Sequence, residues 1–174
     1  MDSIFGCART ERTREKALEL GIVDAMFENA GETVAGADLG IICSHLWSYP
    51  SVGEAMSSHL TPGAIVTDVG SVKGCVVRDL GPHIPQGVHL VPGHPVSGSE
   101  KSGPEAGFEA LFDDRWWILT PGADADQDAP KDGLLRGFLR IKMDVLTEFQ
   151  LSGFTYLIHS PSFEVNGNRT DQGV

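Results

Sequence analysis

The stretch ADLGIICS (37–44) decides the fold, together with its partner GAIVTDVGS (63–71). Each is a short, nearly continuous apolar run closed by small polar residues. Strands that face water on one side alternate apolar and polar residues. A strand buried on both faces reads as an unbroken run, as in a parallel sheet with helices on both sides. The flanking segments agree with that arrangement. Upstream, SIFGCA (3–8) is a short strand, and TERTREKALELG (10–21) is a helix with Ala17, Leu18 and Leu20 on its apolar face. A threonine stands near the start of that helix and Gly21 near its end, where a cap and a stop are favoured. Downstream, SVGEAMSSHL (51–60) is a helix ended by TPG, and VKGCVVRDLGPHI (72–84) is a second. GVHLVPGHP (87–95) reads as a fourth strand and RWWILTP (115–121) as a fifth, and GLLRGFLRIKMDVLTEF (133–149) reads as a last helix and strand. Strands separated by helices at this spacing predict an α/β, Rossmann-like, doubly wound and mostly parallel sheet.

The chain has 174 residues, 41% hydrophobic, with a formal net charge of −11. Its length and apolar content suit one globular domain. Its acidity disfavours general binding to nucleic acid or to an anionic membrane, and no run is long and apolar enough for a span. Cys7, Cys43 and Cys75 are widely separated and form no CxxC pair, so neither a metal site nor a disulfide framework is expected. That usage, without a secretory segment, suits the cytoplasm. Domain organisation is expected as a unit over 1–149 and a polar, turn-rich, poorly structured tail over 150–174. PGADADQDAPKDG (121–133) is an acidic linker-like stretch within the first.

In an open parallel sheet, ligands bind beyond the carboxyl ends of the strands. The loops expected there are CARTERTR, CSHLWSYP, DVGSVKG and GHPVSGSEKSG. The first carries Arg9, Thr10 and Arg12, with no acidic residue at the strand end. Guanidinium groups at that position suit a 2′-phosphate, hence NADP, with NAD the alternative. A solvated first helical turn is the structural alternative. Ser44 and Ser71 stand after the next two strands as cofactor-side candidates. In the last loop, Gly98 and Gly103 have phosphate-loop spacing, but Pro104 and Glu105 follow where Lys and Ser or Thr are required. That loop is read instead as catalytic. His94 can accept a proton or hydrogen bond from a substrate hydroxyl, and Ser71 can orient it. A hydrogen-bonded turn residue and a helix N-cap are the respective structural alternatives.

Taken in order, DVGSVKG (68–74), GHPVSGSEKSGPEAG (93–107) and LFDDRWWILTP (111–121) resemble the prephenate/arogenate (cyclohexadienyl) dehydrogenase family of tyrosine biosynthesis. ALELGIVDAMFENAGETVAGADLGIIC (17–43) is similar to that family's segment from its second to its fourth strand. The resemblance implies oxidative decarboxylation of a small cyclohexadienyl substrate with a nicotinamide cofactor. It implies that His94 bonds the substrate 4-hydroxyl and that Ser71 positions it. Glu100 is implied at the substrate pocket, with Ser99 and Lys101 beside it as substrate-binding candidates.

The sequence departs from that pattern in three places. The family opens with a strand and a GxGxxG turn, and the present sequence starts at what matches the second strand. Residues 150–174 do not resemble the family's helical domain, which supplies its homodimer contacts. CSHLWSY replaces the family's Thr-Pro turn. The chain is therefore expected to be an incomplete, impaired dehydrogenase with two unpaired strand edges. Two alternatives stand beside it: a non-catalytic remnant nucleotide-binding module, and a relative of the β-hydroxyacid dehydrogenases, whose APVSGG loop is similar to HPVSGSEKSG.

Overall fold

The computed structural model describes residues 3–98, 103–113, 115–120 and 154–158. Strand β1 (Ile4–Cys7) leads into α1 (Glu11–Glu19), and β2 (Ala25–Phe27) into α2 (Ala30–Val34). Then come β3 (Leu39–Cys43), α3 (Tyr49–Ser57), β4 (Ile65–Asp68) and α4 (Lys73–Leu80). The remaining strands are β5 (His89–Leu90), β6 (Gly93–Pro95), β7 (Trp117–Leu119) and β8 (Phe154–Ile158).

The main sheet has the order β2-β1-β8-β3-β4-β5. Its two halves are parallel within themselves, β1 with β2 on one side and β3, β4 and β5 on the other. The apolar runs behave as their composition requires. Ile41 and Ile42 are adjacent in sequence and are 1% and 0% exposed, yet they join different cores. Ile41 packs with Ala17, Ile22, Phe112 and Trp117 on one face, and Ile42 with Val34, Tyr49, Met56, Val76 and Leu80 on the other. Each such burial stabilises by about 1.5–3 kcal/mol. The sheet is therefore covered on both sides, as expected of the doubly wound class.

Helix α1 is bounded by local chemistry. Thr10 is its N-cap, with the hydroxyl accepting from the Thr13 N–H at 3.3 Å. At the other end Gly21 has φ +69°, and the Gly21 and Ile22 N–H groups return to Leu18 and Ala17 carbonyls at 3.0 and 3.1 Å. That pair of bonds is a Schellman closure, which needs a residue able to turn left-handed.

The structure corrects three expectations. The segment over 87–95 is two strands, because Pro92 offers no N–H to a ladder. β5 stays in the main sheet, while β6 pairs antiparallel with β7 in a separate two-stranded sheet. Trp117 faces the core at 3% exposure while Trp116 is 55% exposed. The second correction is at the centre. β8 lies between β1 and β3, antiparallel to both, so the two expected open edges are paired. Ile4 aligns with Ile158 and Cys7 with Thr155 on one side, and Leu39 with Ile158 and Cys43 with Phe154 on the other. The third follows from it: the expected unstructured tail holds a strand over 154–158, which the sheet draws back into the unit assigned to 1–149. The linker at 121–133 and the last helix and strand at 133–149 lie outside the described residues.

Among the described residues, no helix is long and apolar enough to cross a membrane.

Candidate active site

Strand β4 ends at Asp68, and Val69–Val72 turn the chain into α4. Asp68 is fully buried. A buried carboxylate is tolerated only when its lone pairs are engaged, and here four elements supply donors. The Gly70 N–H donates to Oδ2 at 2.8 Å and the Gly93 N–H to Oδ1 at 3.1 Å. Lys73 Nζ, from the first turn of α4, donates to Oδ1 at 2.7 Å and to Oδ2 at 2.6 Å. The Tyr49 hydroxyl, from α3, lies 3.2 Å from Oδ2 and 3.4 Å from the Ile42 carbonyl. Lys73 Nζ also donates to the Gly93 carbonyl. Burial lowers the Lys73 ammonium from the ordinary lysine range, with Asp68 opposing that shift. Burial, followed by the charge on Asp68, pushes the Tyr49 phenol well above its ordinary range.

This cluster sits directly beneath the two residues singled out as catalytic. Half-buried His94 lies in the middle of β6, one residue after Gly93. Its Nδ1 is 3.3 Å from the Val69 carbonyl. A bond to a carbonyl requires the proton on Nδ1, which leaves Nε2 as the acceptor of the neutral ring. Ser71 is exposed and follows Gly70. It is not the helix cap, because Val72 takes that position without a side-chain bond. Among the described residues, Ser71 and His94 share no hydrogen bond.

Gly93 is needed for close approach. A Cβ there would strike Trp117 Nε1 and lie 2.9 Å from Thr67 Oγ1. Among the described residues, those two polar atoms are themselves buried without a hydrogen-bond partner. Ser97 Oγ donates to the Leu111 carbonyl at 2.6 Å, tying the loop after β6 to the 3-10 turn Glu109–Phe112.

At the far end of the sheet, Arg9 and Arg12 are exposed beyond β1. The Thr10 hydroxyl is committed to capping α1 and lies 2.6 Å from Thr13 Oγ1. Arg14, which the sequence reading passed over, turns inward. Its Nη1 donates to the carbonyls of Ala8 at 2.7 Å and Arg9 at 3.1 Å, so it shapes the loop that carries Arg9. Ser44 accepts from Ser48 Oγ at 2.8 Å, and in the same loop the rings of His45 and Trp47 stack at 6.0 Å. Ser99, Glu100 and Lys101 lie outside the described residues.

A nicotinamide dinucleotide finds suitable groups at both ends of this edge. Guanidinium groups stand at one end, and an imidazole and a hydroxyl at the other. The middle fits less well. The central position of the sheet is held by β8, which begins at the carboxyl edge rather than ending there. Among the described residues, no glycine turn runs from that strand into a helix to cradle a pyrophosphate.

Asp68, Lys73, Tyr49 and Gly93 were not among the residues selected from sequence. The available signal was the spacing of Asp68 and Lys73 across a strand-to-helix turn, with a glycine before each of Ser71 and His94.

Comparison with known proteins supplies the family. Residues 1–134 match the family described as prephenate dehydrogenase, nucleotide-binding domain. The chain is 36% identical over 127 residues to the cyclohexadienyl dehydrogenase of Zymomonas mobilis, covering 73% of this chain and 42% of that protein. It is 33% identical over 137 residues to the prephenate dehydrogenase of Bacillus subtilis, covering 77% and 37%. Among solved structures, a prephenate dehydrogenase from Aquifex aeolicus in complex with hydroxyphenyl propionate and NAD+ superposes with a TM-score of 0.64. It is 31% identical, covering 73% of this chain and 44% of that one. Synechocystis arogenate dehydrogenase gives a TM-score of 0.63 at 29% identity, covering 71% and 43%. The chain thus spans about two fifths of the length of the curated relatives it matches.

Proposed function

The chain belongs to the prephenate dehydrogenase family, matching its nucleotide-binding domain, and on that premise we propose that it carries the catalytic edge for oxidative decarboxylation of prephenate or arogenate. The observation that supports this best is the bond between His94 Nδ1 and the Val69 carbonyl. It points the tautomer so that Nε2 can accept a hydrogen bond from the hydroxyl on the reacting ring carbon. Ser71 orients the substrate beside it, and Ser99, Glu100 and Lys101, which follow in sequence, are the further substrate-binding candidates of this reading. A nicotinamide held at this edge by Arg9, Thr10, Arg12 and Ser44 would supply the hydride acceptor for an oxidation in which the ring carboxylate would leave as carbon dioxide. The residues of the chain need only orient, polarise and keep water out.

Arg9 and Arg12, with no acid at the end of β1, favour NADP over NAD, and Thr10 sets the loop that presents them. Ser44 borders the same edge. Residues 1–149 form the nucleotide-binding unit in this reading, to which β8 contributes a strand. Three free cysteines suit a reducing, cytoplasmic setting.

β8 at the sheet centre favours a second reading, a nucleotide-binding module without turnover. A steady-state assay of the purified chain with prephenate or arogenate, and NADP or NAD, separates the two. On the first reading, turnover is measurable and falls by about 100-fold or more in His94→Asn. Binding that weakens in Arg9→Ala, without turnover in the unmodified chain, supports the second. No dinucleotide binding at all refutes both.

A further inference from the structure

We propose that Asp68 is a positioning residue, acting with Lys73 as one clamp that sets the His94 loop against the Ser71 turn. The inference rests on His94 and Ser71 forming the working edge described above. Its support is geometric. The Asp68 carboxylate accepts from the N–H of Gly70, which immediately precedes Ser71, and from the N–H of Gly93, which immediately precedes His94. The opposite charge takes the other side of the same residue, since Lys73 Nζ donates to the Gly93 carbonyl. An anion thus holds the donor of Gly93 and a cation holds its acceptor. A second bond runs the same way as the one from Gly93 N–H, because His94 Nδ1 donates to the carbonyl of Val69, the residue that follows Asp68. Two loops separated by 25 positions are thus joined by two bonds donated from the His94 side, and Lys73 returns one to Gly93.

The pairing also explains why a buried charge is kept here. An apolar replacement of the pair could fill the volume, and such replacements are often neutral or stabilising. It could not bind an N–H and a C=O of one glycine at the same time. Tyr49 adds a hydroxyl donor to Oδ2 of the carboxylate from the α3 side. The clamp acts through His94 and touches no reacting atom itself.

The test reads the His94 ring directly and needs no substrate. Long-range proton–nitrogen spectra of the nitrogen-labelled chain report which ring nitrogen carries the proton. In the unmodified chain the Nδ1–H form is expected to predominate, by the roughly five- to tenfold that one hydrogen bond confers. In Asp68→Asn and in Lys73→Met that preference should fall to near parity or reverse. The double variant should be no worse than Asp68→Asn alone, because a clamp with one jaw missing is already open. Lys73→Arg, which keeps the cation, should restore part of the preference. If Asp68→Asn does not fold, Lys73→Met decides alone. An unchanged tautomer ratio in a folded Lys73→Met, or additive losses in the double variant, overturns the proposal. Turnover is measured separately, so a chain that is inactive yet shows the tautomer shift refutes the catalytic reading and leaves the clamp standing.

Discussion

Replacing Gly93 by alanine adds a single methyl group at the tightest point beneath the site. An ideal Cβ there strikes Trp117 Nε1, lies 3.0 Å from Trp117 Cε2 and lies 2.9 Å from Thr67 Oγ1. None of these atoms can yield cheaply. Trp117 is 3% exposed and belongs to the core on the α1 face, and Thr67 is 7% exposed. Trp117 also lies opposite Pro95 in the β6–β7 ladder, so displacing it displaces the strand that carries His94. Overpacking of this kind costs about 1–3 kcal/mol. For a chain of this length that lowers the melting temperature by roughly 2–12 °C, at about 2–4 °C per kcal/mol. Gly74→Ala is the matched control, since a Cβ there meets nothing within 4 Å in the first turn of α4. It should stabilise by up to about 0.5–1 kcal/mol, through helix propensity. Urea titrations followed by tryptophan fluorescence measure both. If Gly93→Ala falls within about 0.5 kcal/mol of the unmodified chain, the packing argument around Trp117 is wrong.

Thr10→Ala should cost about 1 kcal/mol by removing the cap of α1, and Thr10→Ser should restore most of it, both read as shifts in urea midpoint. The Lys73 ammonium is lowered from 10.5 by burial, against the pull of Asp68. Between its folded value and 10.5 the unfolded chain therefore binds more protons, and stability from this group rises with pH across that window and is lost as pH falls through the folded value. The pH dependence of the urea midpoint approaching 10.5 should be flatter in Lys73→Met; an unchanged slope contradicts the assignment. Cys43 is 3% exposed, and burial followed by the charge on Asp68 raises its thiol well above the ordinary range. It should resist a thiol reagent in the folded chain and react at once in urea, whereas labelling at the unfolded rate without denaturant would contradict the core placement.

The parts legible in sequence are those specified by local pattern. Ile41 and Ile42 announce a strand buried on both faces without knowledge of what covers it. Thr10 and Gly21 bracket α1 by their own hydrogen-bonding and φ preferences. The short elements leave less trace. β2 has three residues and α2 five, too few for either period to repeat. The break at Pro92 was visible as a proline, yet whether it ends a strand or only interrupts one depends on which partner each half finds. Asp68 was not selected from the sequence, because its meaning comes from Gly93, 25 positions away. The same holds for β8, whose pairing with β1 and β3 is entirely non-local. His94 and Ser71 were legible from their place after buried strands, and a resemblance sharpened their roles, while the groups that hold them in place were not selected.

The strand at the sheet centre also dictates an order of events during synthesis. β8 is the last described element made and pairs with the first, Ile158 aligning with Ile4. Until residue 158 has emerged, β1–β2 and β3–β4–β5 are two separate ribbons, each with an unsatisfied edge facing the other. Closing so long a loop is entropically slow, and such contacts place a fold at the sluggish end of the folding spectrum. A nascent chain therefore waits with its most strand-ready surfaces open, exposed to pairing with a neighbour on the same message. Of the described elements, the one that completes the sheet is also the last to arrive to protect it.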